Sequence, residues 1–309
     1  MSRVCFGIIT DLHREIMHDA PQRLEAFLEA ARKRKADFIV SLGDFCHSRE
    51  EHEDVRAIWN SFPGGRYHVL GNHDTDASDK LTWMRFFGLR RVYDSFDWGG
   101  FHFCLLDTNT VSLDGIDYDY GNRNYFAFQE YRENLSASQM NWLKADLAAT
   151  KNPTVLFSHA SLADPAVGIR NHGQLRALLL EARRQGPGVI AAFNGHNHVD
   201  GHLVQDGVHY LDVNSASNCW LGEAYACDTY GPQVEREHPW IRCTAPYREA
   251  LFTFVELDSQ AHTLSMSGMQ SSFVGPAPQQ RGHRGYSSHT GVSGGFPIRP
   301  SIEERILHY

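Results

Sequence analysis

Five apolar runs in this 309-residue chain each end in a side chain that can hold a metal ion. Phe6-Gly7-Ile8-Ile9 precedes Asp11-Leu12-His13, and Phe38-Ile39-Val40-Ser41-Leu42 precedes Gly43-Asp44. Tyr67-His68-Val69-Leu70 precedes Gly71-Asn72-His73-Asp74. Thr154-Val155-Leu156-Phe157 precedes His159, and Val189-Ile190-Ala191-Ala192-Phe193 precedes Gly195-His196-Asn197-His198. Short apolar runs bounded by turn residues read as buried strands. In open α/β sheets the carboxyl ends of strands line the crevice where ligands bind, so side chains distant in sequence can meet there.

The pooled groups are Asp11, His13, Asp44, Asn72, His73, His159, His196 and His198. Nitrogen and oxygen donors without thiolate suit manganese, iron or zinc, and suit a calcium cage poorly. They are too many for one tetrahedral ion and match two ions that share a carboxylate. Taken singly, His13 or His159 is more simply a hydrogen-bonded histidine at a strand end and Asp44 a turn carboxylate, a reading already weak for Gly195-His196-Asn197-His198. Five motifs in one chain are not explained that way.

The order Asp-x-His, Gly-Asp, Gly-Asn-His-Asp, His, Gly-His-x-His resembles the calcineurin-like metallophosphoesterase family, over roughly residues 4–214. The resemblance implies a four-layer α/β/β/α sandwich, with two mixed sheets packed face to face under flanking helices. It implies that Asp11, His13 and His198 hold one metal, that Asn72, His159 and His196 hold the other, and that Asp44 bridges both. His73 would face the substrate rather than ligate, with Asp74 orienting its ring, and attack on phosphorus would be direct, without a phospho-enzyme. The chain looks less like the protein serine/threonine phosphatases, which carry Gly-Asn-His-Glu. It is more similar to the branch of cyclic-nucleotide phosphodiesterases and ADP-ribose/CDP-alcohol diphosphatases.

The implied activity is hydrolysis of a phosphodiester or pyrophosphate bond in a small, nucleotide-like substrate, with His73 as general acid. A phosphomonoesterase of the same mechanism is the alternative among enzymes, and a metal-bound interaction module without turnover is the alternative from another class. His47, beside the Gly-Asp motif, and Asn109, Tyr120 and Arg123 are candidate substrate contacts; solvated loop residues are the plainer reading of the last three. Trp220 and Tyr225 could stack on a base, although aromatic packing of an irregular segment is the plainer reading.

A formal net charge of −8 argues against a broad nucleic-acid surface, so no polymer partner is expected. Locally, two divalent ions against Asp11 and Asp44 leave the site positive. No apolar run approaches membrane-spanning length. The chain enters its first strand within a few residues, so no leader is expected. The six cysteines form no Cys-x-x-Cys pair and read as reduced thiols of a cytoplasmic protein. Cys5 and Cys104 read as core residues, and a disulfide among Cys219, Cys227 and Cys243 is the less favoured possibility.

Pro21 opens a helix whose apolar positions Leu24, Phe27, Leu28 and Ala31 recur at helical spacing. With the strands on either side it makes a βαβ unit and so a parallel pair. Further helices are expected over 53–62, 81–87, from Ser136 onward, and over 174–184. Hairpins are expected over 92–106, 201–213 and 250–266. Residues 1–270 form the expected catalytic domain, with irregular insertions at 107–134 and 214–247 that wall the site. Residues 271–309, rich in Gly, Ser and Pro, form a C-terminal tail, disordered or laid along the domain surface.

Overall fold

Strand β1 (Arg3–Ile9) and strand β2 (Phe38–Ser41) are joined by helix α1 (Ala20–Arg34) and pair in parallel, as a helical crossover requires. Pro21 lies in the first turn of α1, Arg32, Lys33 and Arg34 lie in the last, and Leu24, Phe27, Leu28 and Ala31 are buried. The unit repeats through α2 (Glu53–Asn60) to β3 (Gly65–His68), again parallel. A computed structural model describes residues 3–164, 166–286 and 296–309.

After α3 (Lys80–Phe87), the hairpin β4 (Asp94–Trp98) and β5 (Phe101–Leu105) starts a second sheet. Helices α4 (Ala137–Ala149) and α5 (His172–Gln185) alternate with β6 (Thr154–Ser158) and β7 (Val189–Asn194), and both strands join that sheet in parallel. The hairpin β8 (Gly201–Gln205) and β9 (Val208–Asp212) completes it. Strands β10 (Thr253–Asp258), β11 (Thr263–Met266) and β12 (Arg305–His308) return to the first sheet, all antiparallel. The two six-stranded sheets have the orders β12-β11-β10-β1-β2-β3 and β8-β9-β7-β6-β5-β4.

Their inner faces meet through aromatic rings. Phe6 lies edge-on to Phe103, Phe157 and Phe193, and Phe38 edge-on to Phe103. On one outer face Phe27, Val55 and Trp59 of α1 and α2 cover Ile9, Ile39 and Phe254. On the other, Leu143, Leu147, Leu175 and Leu179 of α4 and α5 cover Cys104, Leu156 and Ala192. The layers are therefore α/β/β/α, as expected.

Several expectations change. Residues 107–134 are not wholly irregular: Thr110–Leu113 and Ile116–Asp119 form a hairpin, and Asn124–Phe128 a 3-10 turn. Residues 214–247 hold a short strand pair, Asn218–Trp220 with Thr244–Pro246, and a short helix, Pro232–Glu237. Of the expected tail, residues 287–295 lie outside the described residues, and residues 305–308 form β12, the edge strand of the first sheet. All six cysteines are free thiols. Among the described residues no helix is long and apolar enough to cross a membrane.

Candidate metal centre

The motif residues follow the carboxyl ends of β1, β2, β3, β6 and β7; all but β3, an edge strand of the first sheet, lie inside the two sheets. Backbone bonds lace these loops together: Asp11 N–H to Gly43 O, His13 N–H to Asp44 O, and Gly195 N–H to His159 O, at 3.0, 3.0 and 3.1 Å. Asp11, His13, Asp44, His196 and His198 all adopt left-handed backbone angles, φ 50 to 67°. Non-glycine residues pay of order 1–3 kcal/mol for such strained conformations, which persist where the surroundings over-determine them.

The side chains form two abutting groups. Asp11, His13 and His198 make one; Asp44, His159 and His196 make the other, with ligand atoms of each group within 4.8 Å of one another. His13 Nε2 and His198 Nε2 are 3.3 Å apart, and His198 Nε2 is 3.2 Å from Asp11 Oδ1. His159 Nε2 lies 3.0 Å from Asn72 Oδ1, 3.2 Å from His196 Nδ1 and 3.2 Å from Asp44 Oδ2. The same Asp44 Oδ2 is 3.7 Å from His13 Nε2, so this oxygen stands between the groups. Its partner Oδ1 accepts the His73 N–H at 2.8 Å.

The outward nitrogens decide what these rings can do. His159 Nδ1 donates to Leu42 O and His198 Nδ1 to Asn218 O, both at 2.8 Å. A carbonyl only accepts, so a neutral ring at either position turns a lone pair inward. His13 Nδ1 meets Glu15 Oε1 at 2.7 Å, and Glu133 Oε1 stands 3.9 Å from His196 Nε2. The rings of His13, His159 and His198 are thus held from behind, as metal-ligating histidines are. The facing Nε2 atoms of His13 and His198, each a lone pair in a neutral ring, need positive charge between them, as a proton or as a cation. The carboxylates demand it. Burial lowers His13 and His159, but Glu15 pushes His13 up to about 10 and Asp44 pushes His159 up to about 9. Burial opposes charge on Asp11 too, yet His198 brings it down to about 2. A buried set of nitrogen donors, carboxylates and one amide oxygen fits two transition-metal ions.

His73 does not join either group. Its ring centroid is 5.5 Å from that of His13, its Nδ1 is 2.9 Å from Asp76 Oδ2, and its side chain is 36% exposed. The expected partner, Asp74, is elsewhere. Its oxygens accept the N–H groups of Gly71, Asp44, Phe45 and Cys46 at 2.8 to 3.1 Å. Asp74 therefore clamps the β2 loop against the β3 loop, and the residue that orients His73 is Asp76. The same Asp76 accepts Tyr125 O–H through its other oxygen, at 2.7 Å.

The remaining candidates separate. Asn109 and Tyr120 are buried, at 2% and 1% exposure. Asn109 donates to Leu70 O, and Tyr120 O accepts the Glu133 N–H, so both are scaffold rather than substrate contacts. His47 is half-buried, and its Nε2 has no partner among the described residues. Arg123 has an exposed side chain 3.6 Å from Asp76 Oδ2. Trp220 lies beside Trp240, ring centroids 6.2 Å apart and both nearly half exposed, whereas Tyr225 packs on the inter-sheet core. Glu15, Asp76 and Glu133 were not foreseen. For Glu15 and Asp76 the signal was spacing, two and three residues past a motif histidine; Glu133 comes from the insertion and carried none.

The calcineurin-like phosphoesterase family model matches residues 6–200. No curated protein matches. A dimetal phosphatase from Danio rerio superposes with a TM-score of 0.63 at 16% identity, over 89% of this chain and 99% of that one. GAP50, the anchor in the inner membrane complex of Plasmodium, gives a TM-score of 0.54 at 14% identity, over 89% and 86%. A putative 5′-nucleotidase from Staphylococcus aureus gives 0.50 at 11% identity, over 88% and 54%. At these identities the structures share the fold, while the family model spans most of the chain and all five motifs up to His198. The chain belongs to the calcineurin-like phosphoesterases, hydrolases that act on phosphoric ester bonds.

Proposed function

We propose that this protein hydrolyses the phosphodiester or pyrophosphate bond of a small, nucleotide-like substrate, with His73 as general acid. The observation that carries the reading is His73 itself. It stands against the ligand groups without belonging to them, with Nδ1 paired to Asp76. Its Nε2 has no hydrogen-bond partner among the described residues and is open to a departing oxygen. Burial lowers the affinity of the ring for a proton, but Asp44 and Asp76 outweigh it and raise the pKa. A ring whose affinity for a proton is raised and which is held by a carboxylate suits proton donation.

Asp11, His13 and His198 would hold one cation, Asn72, His159 and His196 a second, and Asp44 Oδ2 both. Two such cations, manganese, iron or zinc, would supply charge to the phosphoryl oxygens and a nucleophilic water. Asp44 Oδ1, bound to the His73 N–H, ties the bridging carboxylate to the acid. The six free thiols fit a reducing, cytoplasmic compartment.

The test is turnover of bis(p-nitrophenyl) phosphate against p-nitrophenyl phosphate by protein loaded with manganese. The diester is expected to be hydrolysed faster. Turnover of the monoester alone would reassign the protein as a phosphomonoesterase. Two bound metals with no turnover of either would make it a binding module, and no uptake of metal would remove the centre altogether.

A further inference from the structure

The 3-10 turn Asn124–Phe128 is tied into the site by one buried side chain. Tyr125, 1% exposed, donates its O–H to Asp76 and accepts from Asn72 Nδ2 at 3.3 Å. The two residues leading into the turn, Asn122 and Arg123, both take left-handed angles, φ 50 and 62°. Two consecutive non-glycine residues in that region are costly. They put the Arg123 guanidinium over the Phe126 ring, 5.0 Å from its centroid, with Phe126 6.5 Å from the His73 ring. Phe126 is 43% exposed and the Arg123 side chain 57%. The Arg123 side chain makes a loose ion pair with Asp76 and donates no hydrogen bond among the described residues. Most of its donors are therefore uncommitted, on the side of the site where the proton donor stands.

Resting on the reading of His73 as general acid, we propose that Arg123, braced by Phe126, binds the leaving group, and that this group is a phosphomonoester. The preferred substrate is then a pyrophosphate diester rather than a simple phosphodiester. A guanidinium offers paired donors that match phosphate oxygens, and stacking on an aromatic face holds it flat. In the reaction, water oxygen bonds to one phosphorus and the bond from that phosphorus to the bridging oxygen breaks. The bridging oxygen leaves with the second phosphate and takes the His73 proton, while the water proton returns to solvent. A phosphomonoester departs with more negative charge than an alcohol does, and Arg123 is the cation beside it. The same cation offers nothing specific to a nitrophenolate.

The experiment compares two substrates that differ only in the leaving group: ADP-ribose and adenosine 5′-(4-nitrophenyl) phosphate, with manganese-loaded protein. The two leaving groups are of similar basicity, so any effect transmitted through His73 falls on both alike. Arg123→Ala is expected to lower kcat/KM for ADP-ribose about 10–100-fold, the range for a hydrogen bond to a charged group. It should shift the ratio of the two substrates by at least about 10-fold. Arg123→Lys should recover part of the loss, and Phe126→Ala should show a weaker shift in the same direction. An equal loss on both substrates would mean that Arg123 acts only through Asp76 on His73, and would overturn the subsite while leaving the general acid intact. If wild-type protein turns over neither substrate, the functional reading falls. Binding of AMP by calorimetry then decides the subsite, and equal affinity of wild type and Arg123→Ala would overturn it.

Discussion

At Gly71 and Gly195 a side chain would strike the centre itself. A Cβ on Gly71 would lie 2.1 Å from the Asp44 backbone nitrogen, and one on Gly195 would lie 2.0 Å from Thr10 Oγ1 and 2.6 Å from Asp11 Oδ2. The glycines written into two motifs are thus spaces for the candidate metal-binding carboxylates. Asp74 and Asp76 divide the work that the neighbour of His73 was expected to do alone. Adjacency in sequence favoured Asp74, but the chain turns into a 3-10 segment at His73–Thr75, which aims residue 76 back at residue 73 and residue 74 into the protein. The two carboxylates should fail differently. His73→Ala is expected to lower turnover of a nucleoside ester by about 10²–10⁴ with metal content kept. The loss should be smaller for a nitrophenyl ester, whose leaving group needs little protonation, than for a nucleoside ester. Asp76→Asn should give a milder loss of the same pattern at unchanged stability. Asp74→Asn exchanges one acceptor oxygen for an amide that points donors at backbone N–H groups. It should cost about 1–3 kcal/mol for each N–H left unpaired, read by denaturant unfolding. Equal effects of the two aspartate variants on stability would refute this division.

The strands that deliver the motifs were legible because each is a run of buried apolar residues closed by a turn. The hairpin inside the first insertion was legible too, and overlooked. Thr110-Val111-Ser112-Leu113 and Ile116-Asp117-Tyr118-Asp119 flank Asp114-Gly115, both at positive φ as a two-residue hairpin turn demands. Its Asp and Tyr content disguised it, since Ile116, Asp117, Tyr118 and Asp119 are all exposed. Tertiary partners complete it: Lys80, buried in α3, reaches Asp107 and Asp119 at once. A different contact between elements carries a pH dependence. On β5, His102 sits between Asp97 at 2.9 Å and Asp146 of α4 at 2.7 Å, with Cys104 donating to Asp146. Burial lowers the His102 pKa, but Asp146 and Asp97 raise it above its ordinary value. The folded protein therefore binds the proton more tightly than the unfolded chain does. The stabilisation is complete below pH ~6.5, the usual histidine value, and is lost as pH rises through the folded pKa. Asp97 is exposed, so Asp146 supplies most of the effect. His102→Gln should cost about 1–2 kcal/mol at pH 5.5 and clearly less at pH 9. A constant difference between wild type and variant across that range would show that folding leaves the pKa of the ring unshifted.

Across the whole molecule, what the sequence did not reveal is how the chain ends. Arg305-Ile306-Leu307-His308 is a four-residue strand after a Gly/Ser/Pro-rich stretch, and its partner β11 lies some 40 residues earlier in the chain. Nothing local announces such a pairing, because it is decided by an open sheet edge. Once there, β12 fastens the first sheet to the second. Arg305 grips both oxygens of Asp200 at 2.9 and 2.7 Å, the Glu303 N–H donates to the same carboxylate, and His209 Nε2 donates to His308 O. Arg305 and Asp200 side chains are only 11% and 9% exposed. Asp200 stands two residues past His198, so the end of the chain braces the loop that carries two of the candidate ligands. Removing one partner of a largely buried pair strands the other charge, which costs about 3–5 kcal/mol. Arg305→Ala should lower stability by that order in denaturant unfolding, and Arg305→Ala with Asp200→Asn should recover part of it, because the stranded carboxylate is then gone. Manganese affinity should fall with the single variant, since the backing of His198 loosens, and by less in the double. If Arg305→Ala unfolds within about 0.5 kcal/mol of wild type, the range of ordinary surface substitutions, then β12 is an ornament on a domain already complete without it, and the coupling between chain end and metal loop is void.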